Sequence, residues 1–331
     1  MKPTIAITIG DFNGIGPEVT LKSIVSPKIK KNIQPVLIGS FDIFQYYVKL
    51  FKLNIELIAV DKLSAKIKNG AVPVLTVHPA TSKSIQLGKI SPDSGVCAGM
   101  AIEHALKLCL AKEVDAMVTA PVSKEALHLA GYNFPGQTEM LAMLTRSERV
   151  TMMLLAKSMR VALATVHIPL KKVSENLFVD RIIEKLETVN SSLKNDLGIK
   201  TPSIAILGLN PHAGENGAIG TEENDVIIPA IKKAKEKGID ASGPFPADGF
   251  FASKAYKNYD AILAMYHDQG LIPLKMTGFD EGVNFSAGLK IIRTSPDHGT
   301  AFDIAGKKIA NPGSMISAIQ LAVSIIEQRK K

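Results

Sequence analysis

The sequence predicts an α/β protein in which helices cover a largely parallel β-sheet. Short runs rich in Val, Ile, Leu and Ala alternate with longer amphipathic stretches from end to end, an order typical of strand–helix–strand units. Glycine, proline or polar residues break the pattern where one run passes into the next. The predicted strands are Thr4–Ile9, Val36–Ile38, Glu56–Val60, Val74–Val77, Ala116–Thr119, Met152–Ala156, Val161–Val166, Ser203–Leu207, Ala261–Met265 and Lys290–Thr294. The predicted helices are Pro17–Val25, Asp42–Phe51, Ser94–Leu110, Asn176–Ser192, Asn224–Lys237 and Pro312–Gln328.

One pair of predicted strands departs from this order. Only the four residues KSMR separate Met152–Ala156 from Val161–Val166, too few for a helical crossover. We therefore expect these two strands to form an antiparallel hairpin.

With 331 residues, of which 46% are hydrophobic, the chain can bury a large core and is long enough for two lobes.

The composition argues against a membrane protein or a secreted one. No run approaches the roughly 20 apolar residues that cross a bilayer, and the opening MKPTIAITIGDFNG indicates a strand rather than a signal peptide. Cys97 and Cys109 fall in one predicted helix at a spacing that does not allow a disulfide. We therefore expect reduced thiols, a cytoplasmic protein and no membrane partner.

The net charge of +8 raises the alternative of a nucleic-acid-binding protein. The 39 lysines and arginines are spread over helical surfaces and mixed with 31 acidic residues. Aromatic residues do not interleave with the terminal basic clusters KIKKN and EQRKK, as nucleic-acid recognition favours. We therefore expect no nucleic-acid partner. The more modest interpretation of the net positive charge is a basic surface that attracts anionic metabolites.

Three histidines follow three of the predicted strands, each at the start of a turn. They are His167 in VALATVHIPL, His212 in SIAILGLNPHAGENG and His267 in AILAMYHDQG. Any one of them is also explained as a hydrogen-bonded turn residue. The carboxyl ends of strands in an open α/β sheet form the edge where ligands bind. Three imidazoles at such ends therefore favour a metal site.

A glycine-rich segment, Gly10-Asp11-Phe12-Asn13-Gly14-Ile15-Gly16-Pro17-Glu18, follows the first strand and opens a helix. Proline suits the first helical turn, and the following glutamate complements the helix dipole. The third glycine of the dinucleotide-binding fingerprint is absent, as is the acidic residue about 20 positions later. The segment therefore does not predict an ordinary Rossmann site, and a tight turn alone also explains its glycines.

These segments together carry a resemblance that runs along the whole chain. The chain resembles the 4-hydroxythreonine-4-phosphate dehydrogenase family of pyridoxine biosynthesis. Its opening motif is also similar to that of the isocitrate and isopropylmalate dehydrogenases. The resemblance implies a two-lobed fold of the isocitrate/isopropylmalate dehydrogenase type, with mostly parallel sheets, covering helices and a cleft between the lobes. The blocks that carry it are GDFNGIGPE (10–18), VTAPVSK (118–124), GQTEML (136–141), LNPHAGENG (209–217), GPFPAD (243–248), YHDQGLIPLK (266–275), GVNFSAGL (282–289) and IRTSPDHGTAFDIAG (292–306).

The resemblance also implies a reaction. An enzyme of this family oxidises the C3 hydroxyl of 4-phosphohydroxythreonine with NAD or NADP to 2-amino-3-oxo-4-(phosphooxy)butanoate, which loses CO2 to give 3-amino-2-oxopropyl phosphate. His167, His212 and His267 would bind one divalent metal per subunit, at an active site formed at the interface of a homodimer. Imidazole ligands suit zinc or cobalt, and manganese or magnesium with carboxylate or water ligands. The sequence does not assign residues to the nucleotide cofactor.

A small phosphorylated substrate needs cationic and hydrogen-bonding partners. By resemblance these are Thr138, Lys275, Asn284 and Arg293, with Gln137 where the family usually has histidine in a GHTE motif. We expect Arg293 at the end of a strand and Lys275 in a loop just after His267. Glutamine can donate a hydrogen bond to phosphate but carries no charge. Phe12-Asn13 is a second departure from the family, in the opening loop.

Three further residues are candidates for acid–base chemistry. Asp248 and Asp268 are expected as acid–base groups or as carboxylates that orient a ligating imidazole, and Lys124 as an acid–base group or a cofactor contact. The lobe boundaries expected from the resemblance are 1–125 plus 270–331 for one lobe and 126–269 for the other, which would carry metal ligands and dimer contacts.

Two rival functions stay open at this point. The first is a paralogous dehydrogenase of another phosphorylated hydroxy acid, such as 4-phosphoerythronate, which would prefer an amine-free substrate. The second is a non-catalytic protein that binds metal and a phosphorylated metabolite without NAD-dependent turnover.

Overall fold

Strands and helices alternate along the chain as the sequence predicts. The computed structural model describes residues 2–63, 70–157 and 159–331. Its strands are β1 Thr4–Thr8, β2 Gln34–Gly39, β3 Leu57–Val60, β4 Val72–Thr76, β5 Ala116–Val118, β6 Thr151–Ala156, β7 Met159–Leu163, β8 Ser203–Leu207, β9 Asp240–Phe245, β10 Ala261–Ala264, β11 Val283–Ala287 and β12 Arg293–Pro296. Its α-helices are α1 Gly16–Val25, α2 Pro27–Lys30, α3 Phe41–Phe51, α4 Pro92–Leu110, α5 Lys124–Leu129, α6 Gln137–Thr145, α7 Val179–Asn195, α8 Ile228–Glu236, α9 Ala247–Ala252, α10 His267–Gly278 and α11 Gly313–Arg329.

The chain divides into two compact units. Unit 1 joins residues 1–141 to residues 291–327, and unit 2 consists of residues 142–290 with 328–331. The first unit therefore pairs an N-terminal segment with a C-terminal one. Both divisions fall later in the chain than the expected boundaries at 125/126 and 269/270.

Unit 1 contains an all-parallel run of six strands in the order β3-β4-β2-β1-β5-β12. The central strand β1 is buried on both faces: Ile5, Ala6, Ile7 and Thr8 are 0% exposed. Burial on both faces is typical of parallel strands that helices cover. It also explains why β1 has a continuous apolar run rather than an alternating pattern.

Unit 2 arranges its strands in the order β11-β6-β7-β10-β8-β9. The pairs β7–β10, β10–β8 and β8–β9 are parallel, whereas β11–β6 and β6–β7 are antiparallel. The predicted hairpin is thereby confirmed as β6–β7, with Leu154 opposite Val161. Ser158, one of the four residues KSMR between the two predicted strands, lies outside the described residues.

Two strands, β9 and β11, and several helices, among them α10, were not predicted from the sequence. The edge strand β9 contains Gly243-Pro244, and an edge position tolerates proline because one side of the strand needs no N–H donor. The strand β11 was also missed, and the expected strand Lys290–Thr294 is displaced to Arg293–Pro296. The expected loop after His267 is wrong, since α10 begins at that residue.

Helix α10 forms although Gly270 and Pro273 disfavour a helix. Its Leu271 and Leu274 are buried against the sheet of unit 2. A Cβ at Gly270 would lie 2.5 Å from Cγ1 of Val161 in β7 and 3.0 Å from Cβ of Ala264 in β10. Glycine therefore lets the first turn of α10 approach the sheet closely, and this approach fixes the position of His267.

The two cysteines lie in one helix, as predicted. Cys97 and Cys109 are buried free thiols in α4. Burial raises the pKa of each thiol to about 12, so both stay protonated near neutral pH. Within the described ranges, none of the helices has both the length and the apolarity that spanning a membrane requires.

Replacing Gly270 with alanine should push α10 away from β7 and β10. We expect a loss of about 1–3 kcal/mol in the free energy of unfolding, the usual cost of overpacking. The matched control is Gly249→Ala in α9, where an added Cβ meets nothing within 4 Å. Urea unfolding of both variants is the measurement, and equal stability of the two would contradict the close approach of α10.

Candidate active site

The three predicted histidines follow three adjacent parallel strands of unit 2. His167 comes after β7, His212 after β8 and His267 directly after β10, which lies between the other two strands. Parallel strands end at the same edge of a sheet. The structure therefore places all three loops at one edge, as the sequence predicts.

Two side chains join these strand ends to one another. The buried Thr165 donates a hydrogen bond from Oγ1 to the Met265 carbonyl (2.7 Å), which links the end of β7 to that of β10. Gln269 accepts a bond from the Met265 N–H (2.7 Å) and donates one from Nε2 to the Gly208 carbonyl (2.6 Å). Thr165 and Gln269 thus fix the spacing of the histidine-bearing loops. Sequence reasoning missed both, although each lies two residues from a histidine.

His167 and His267 lie close together. Their ring centroids are 6.1 Å apart. Two imidazoles that bind one zinc ion at about 2.0–2.1 Å have centroids about 5–6 Å apart, so the separation of this pair lies at the upper limit for two ligands of a common ion. Nδ1 of His267 contacts Oδ1 of Asp268 at 2.7 Å, which leaves Nε2 available for a metal and places Asp268 where a carboxylate would orient a candidate ligand.

One chain does not bring a complete ligand set together. Among residues 2–63, 70–157 and 159–331, no three histidine, cysteine, aspartate or glutamate side chains are grouped as a metal site requires. His212 shares the sheet edge with the other two histidines but does not complete such a group. One chain therefore supplies donors whose chemistry suits a metal, but its described residues do not group them as a complete site.

His212 begins an unusual backbone segment. Residues 212–216 all have positive φ angles, from 42° to 78°. Four of these five residues carry a Cβ atom, and each such residue costs roughly 1–2 kcal/mol in a left-handed conformation. Strain of this kind persists only where surrounding contacts enforce it, and it is often found at functional sites.

Unit 1 brings together two of the residues predicted to bind phosphate. Arg293 was expected at the end of a strand but is the first residue of β12, because this strand begins three residues later than predicted. It is 1% exposed and donates from Nε and Nη2 to Oγ1 of Thr119 (3.1 and 2.7 Å). Nη2 also donates to Oε1 of Gln137 (3.1 Å), the first residue of α6. Burial lowers the pKa of Arg293 to about 10, against the opposing effect of Glu139. The guanidinium therefore stays charged near neutral pH.

The contact with Arg293 fixes the orientation of the Gln137 amide. A guanidinium only donates hydrogen bonds, so the amide oxygen must face it. The NH2 group of Gln137 is then left to donate to other acceptors. Thr138 is the next residue of α6 and is half-buried. Thr119, which sequence reasoning missed, ends the strand-like run of the VTAPVSK block.

The other predicted substrate residues belong to unit 2. Lys275 is half-buried in α10, eight residues after His267 and about 12 Å further along the helix axis. Asn284 lies in β11, and its Oδ1 is buried without a hydrogen-bond partner among the described residues. An amide oxygen accepts hydrogen bonds. Asn284 therefore suits a hydroxyl or ammonium group better than a phosphate oxygen.

The two remaining acid–base candidates are exposed. Lys124 is the first residue of α5, which follows β5 in unit 1. Asp248 lies in the first turn of α9 in unit 2. The structure places each near the end of a strand and does not assign a chemical role to either.

The glycine-rich opening segment carries a buried carboxyl group. Asp11 is 0% exposed, and its Oδ1 accepts a hydrogen bond from the Asn13 N–H (2.9 Å). Its Oδ2 is buried without a hydrogen-bond partner in the part of the chain that the structure describes. Burial raises the pKa of Asp11 from 3.8 to about 6, because water no longer solvates the charged form.

The fold is similar to that of isocitrate dehydrogenase. Isocitrate dehydrogenase from Methylococcus capsulatus matches 100% of this chain and 87% of its own with a TM-score of 0.52, at 13% identity. At that identity the likeness is one of fold alone. It agrees with the predicted architecture.

The family follows from closer relatives. The model of the family described as pyridoxal phosphate biosynthetic protein PdxA matches residues 31–322, and the chain belongs to this family. It is 42% identical to a 4-hydroxythreonine-4-phosphate dehydrogenase of Trichlorobacter lovleyi, over 99% of each chain. The crystal structure of the 4-hydroxythreonine-4-phosphate dehydrogenase from Klebsiella pneumoniae matches with a TM-score of 0.87 and 38% identity, over 98% of each chain. A D-threonate 4-phosphate dehydrogenase of Salmonella typhimurium is also 42% identical, over 97% of this chain and 98% of its own.

The raised pKa of Asp11 predicts a pH-dependent stability. The folded state binds this proton more tightly than the unfolded chain, so the free energy of unfolding should fall as pH rises from about 4 to about 6. Asp11→Asn removes the titration and retains the oxygen that accepts from Asn13. We expect the variant to gain up to about 3 kcal/mol over the natural protein at pH 7 and little at pH 4. Urea unfolding at both pH values checks this, and the same difference at each pH would rule it out.

Proposed function

We propose that this protein oxidises the C3 hydroxyl of 4-phosphohydroxythreonine with NAD or NADP and one divalent metal ion per subunit. The product, 2-amino-3-oxo-4-(phosphooxy)butanoate, loses CO2 to give 3-amino-2-oxopropyl phosphate. The observation that carries the proposal is the placement of three histidines at adjacent strand ends of unit 2, with the rings of His167 and His267 6.1 Å apart. Relatives named for this activity match the full chain.

In this proposal His167, His212 and His267 hold the metal, which is zinc, cobalt, manganese or magnesium. When bound, such an ion lowers the pKa of a coordinated hydroxyl and polarises the carbonyl that forms from it. Asp268 fixes the ring of His267 through Nδ1 and thereby keeps Nε2 directed to the metal. Asp248 and Lys124 remain proposed acid–base groups.

The substrate phosphate is assigned to Gln137, Thr138, Lys275 and Arg293. Because Nε and Nη2 of Arg293 already donate to Thr119 and Gln137, Arg293 contributes mainly its positive charge and the orientation of the Gln137 amide. The N–H groups of Gln137 then donate to phosphate oxygens. Oδ1 of Asn284 would accept a hydrogen bond from the ammonium group, or from a hydroxyl group in its place.

A second substrate is favoured by a specific finding. The D-threonate 4-phosphate dehydrogenase of Salmonella typhimurium is as similar to this chain as the dehydrogenase of Trichlorobacter lovleyi, at 42% identity. An amine-free phosphorylated hydroxy acid such as D-threonate 4-phosphate or 4-phosphoerythronate is therefore the alternative. The acceptor oxygen of Asn284 suits a hydroxyl group as well as an ammonium group.

We further propose that the active enzyme is a cytoplasmic homodimer with its active site at the subunit interface. A row of exposed apolar side chains follows the helix that His267 begins: Ile272 is 58% exposed, Met276 83% and Phe279 66%. Ile272 and Met276, four residues apart, lie on one face of α10, and Phe279 follows directly after the helix ends at Gly278. A second copy of the chain that covers this row would bring additional ligands to the incomplete metal site of one protomer.

Turnover should require metal. We expect metal-stripped protein to form no NADH or NADPH from 4-phosphohydroxythreonine, and addition of a divalent ion to restore the absorbance increase. His212→Ala should abolish this turnover without lowering the melting temperature of the metal-free protein. D-threonate 4-phosphate is measured in the same assay, and the higher kcat/KM identifies the substrate.

The outcomes of this assay are distinct. Full activity of His212→Ala would remove His212 from the ligand set. Tight binding of both substrates without turnover, with any of the four metals, would instead indicate a non-catalytic binding protein.

Met276→Lys should weaken the dimer, because burying an unpaired lysine in an apolar interface is costly. Light scattering should then give the 35.5 kDa mass of one chain, whereas the natural protein gives twice that mass. Ile309→Lys is the control, a substitution of a 64% exposed apolar residue of unit 1. A dimeric Met276→Lys variant would exclude the row on α10 as the interface.

A further inference from the structure

Glu223 is a buried carboxylate next to the loop that carries His212. It is 2% exposed and begins the helical turn Glu223–Ile227 that leads into α8. Its Oε1 accepts hydrogen bonds from the N–H groups of Leu209 (2.7 Å) and Asn210 (2.8 Å), and its Oε2 accepts one from Nδ2 of Asn210 (2.9 Å). The carboxylate therefore binds the backbone where β8 passes into the loop.

The loop needs contacts from outside to keep its shape. Residues 212–216 are all left-handed, and side chains with a Cβ atom do not hold that conformation by local preference. Asn210 has a second acidic partner, since its Nδ2 also donates to Oε2 of Glu222 (2.7 Å). The other oxygen of that carboxylate, Oε1, accepts a bond from Oγ of Ser174 (2.7 Å). The segment before His212 is thus anchored by two acidic side chains.

Two glycines of the loop lie directly against the Glu223 carboxylate. A Cβ at Gly214 would lie 2.5 Å from Oε2, and a Cβ at Gly208 would lie 3.1 Å from Oε1. The carboxylate therefore contacts the loop on both sides of His212. The space that the carboxylate occupies and the hydrogen bonds that it accepts together fix where the left-handed segment begins.

We propose that Glu223 is a positioning residue that holds the His212 loop in its ligating conformation. The proposal deepens the function proposed above, since its value for catalysis depends on His212 being a ligand. The loop conformation itself does not depend on that role. Without the carboxylate, two partly buried N–H groups lose their acceptor and the left-handed segment loses its anchor.

The experiment uses the full-length, metal-free protein with Glu223→Ala and Gly214→Ala, which remove and displace the carboxylate respectively. Gly217→Ala is the matched control: its φ is also positive (+99°, against +78° at Gly214), but its added Cβ lies nearest to Nδ2 of Asn224, at 3.3 Å. Glu223→Gln retains one oxygen for the Leu209 and Asn210 N–H groups and serves as the conservative variant. Hydrogen exchange of residues 208–217 and titration with Co²⁺, followed by its visible spectrum, are measured on each.

We expect Glu223→Ala and Gly214→Ala to lose protection of the loop and to bind Co²⁺ about 10- to 100-fold more weakly, as is usual when a residue that orients a ligand is lost. Gly217→Ala and Glu223→Gln should stay near the natural protein in both. Unchanged exchange in Glu223→Ala, or an equal loss in Gly214→Ala and Gly217→Ala, would overturn the proposal. If Glu223→Ala does not fold, the two glycine variants decide it.

The three-histidine metal site and the positioning role of Glu223 are tested by different results. If the natural protein does not bind Co²⁺, the three-histidine site is wrong, and hydrogen exchange alone still tests whether Glu223 anchors the loop. If Co²⁺ binds and its spectrum is unchanged in Glu223→Ala, the metal site stands and the positioning role does not.

Discussion

The parallel pairing of β10 with β7 on one side and β8 on the other is the constraint on which the candidate site depends. Because all three strands run in the same direction, the loops that carry His167, His212 and His267 leave the sheet at one edge. All four residues of β10 are buried, so chemistry is confined to the strand ends. Side-chain hydrogen bonds from Thr165 and Gln269 then link those ends directly.

Features that reduce stability are concentrated near strand ends in both units. In unit 1 a fully buried guanidinium, Arg293, lies beside Thr119 and Gln137. In unit 2 a left-handed segment follows β8 and depends on the buried carboxylate of Glu223. Departures from local preference that persist in a folded protein are expected where function requires them. The buried guanidinium and the left-handed segment therefore favour a binding and catalytic role for these regions.

Much of the fold could be predicted because strand and helix patterns are local. Burial on both faces makes β1, β8 and β10 continuous apolar runs, and their ends were therefore recognisable together with the histidines that follow them. The edge strand β9 was missed because Gly243-Pro244 breaks its pattern. Helix α10 was missed because Gly270 and Pro273 mark it as a turn, whereas tertiary packing against β7 outweighs that local signal.

The supporting residues of the site could not be predicted from sequence because their contacts are distant in the chain. Gln269 reaches the Gly208 carbonyl across 61 residues and Arg293 reaches Thr119 across 174. The family resemblance marked Arg293 and Gln137 but not the hydrogen bond between them. The roles of the histidines and of Lys124, Asp248, Lys275 and Asn284 remain predictions.

The central claim is that three imidazoles from these strand ends share one metal ion. X-ray absorption at the zinc edge of the zinc-loaded, full-length protein tests it most directly. We expect about three imidazole nitrogens at about 2.0–2.1 Å, identified by the multiple scattering of the rings. A spectrum with oxygen neighbours alone, or with a single imidazole, would contradict the shared site.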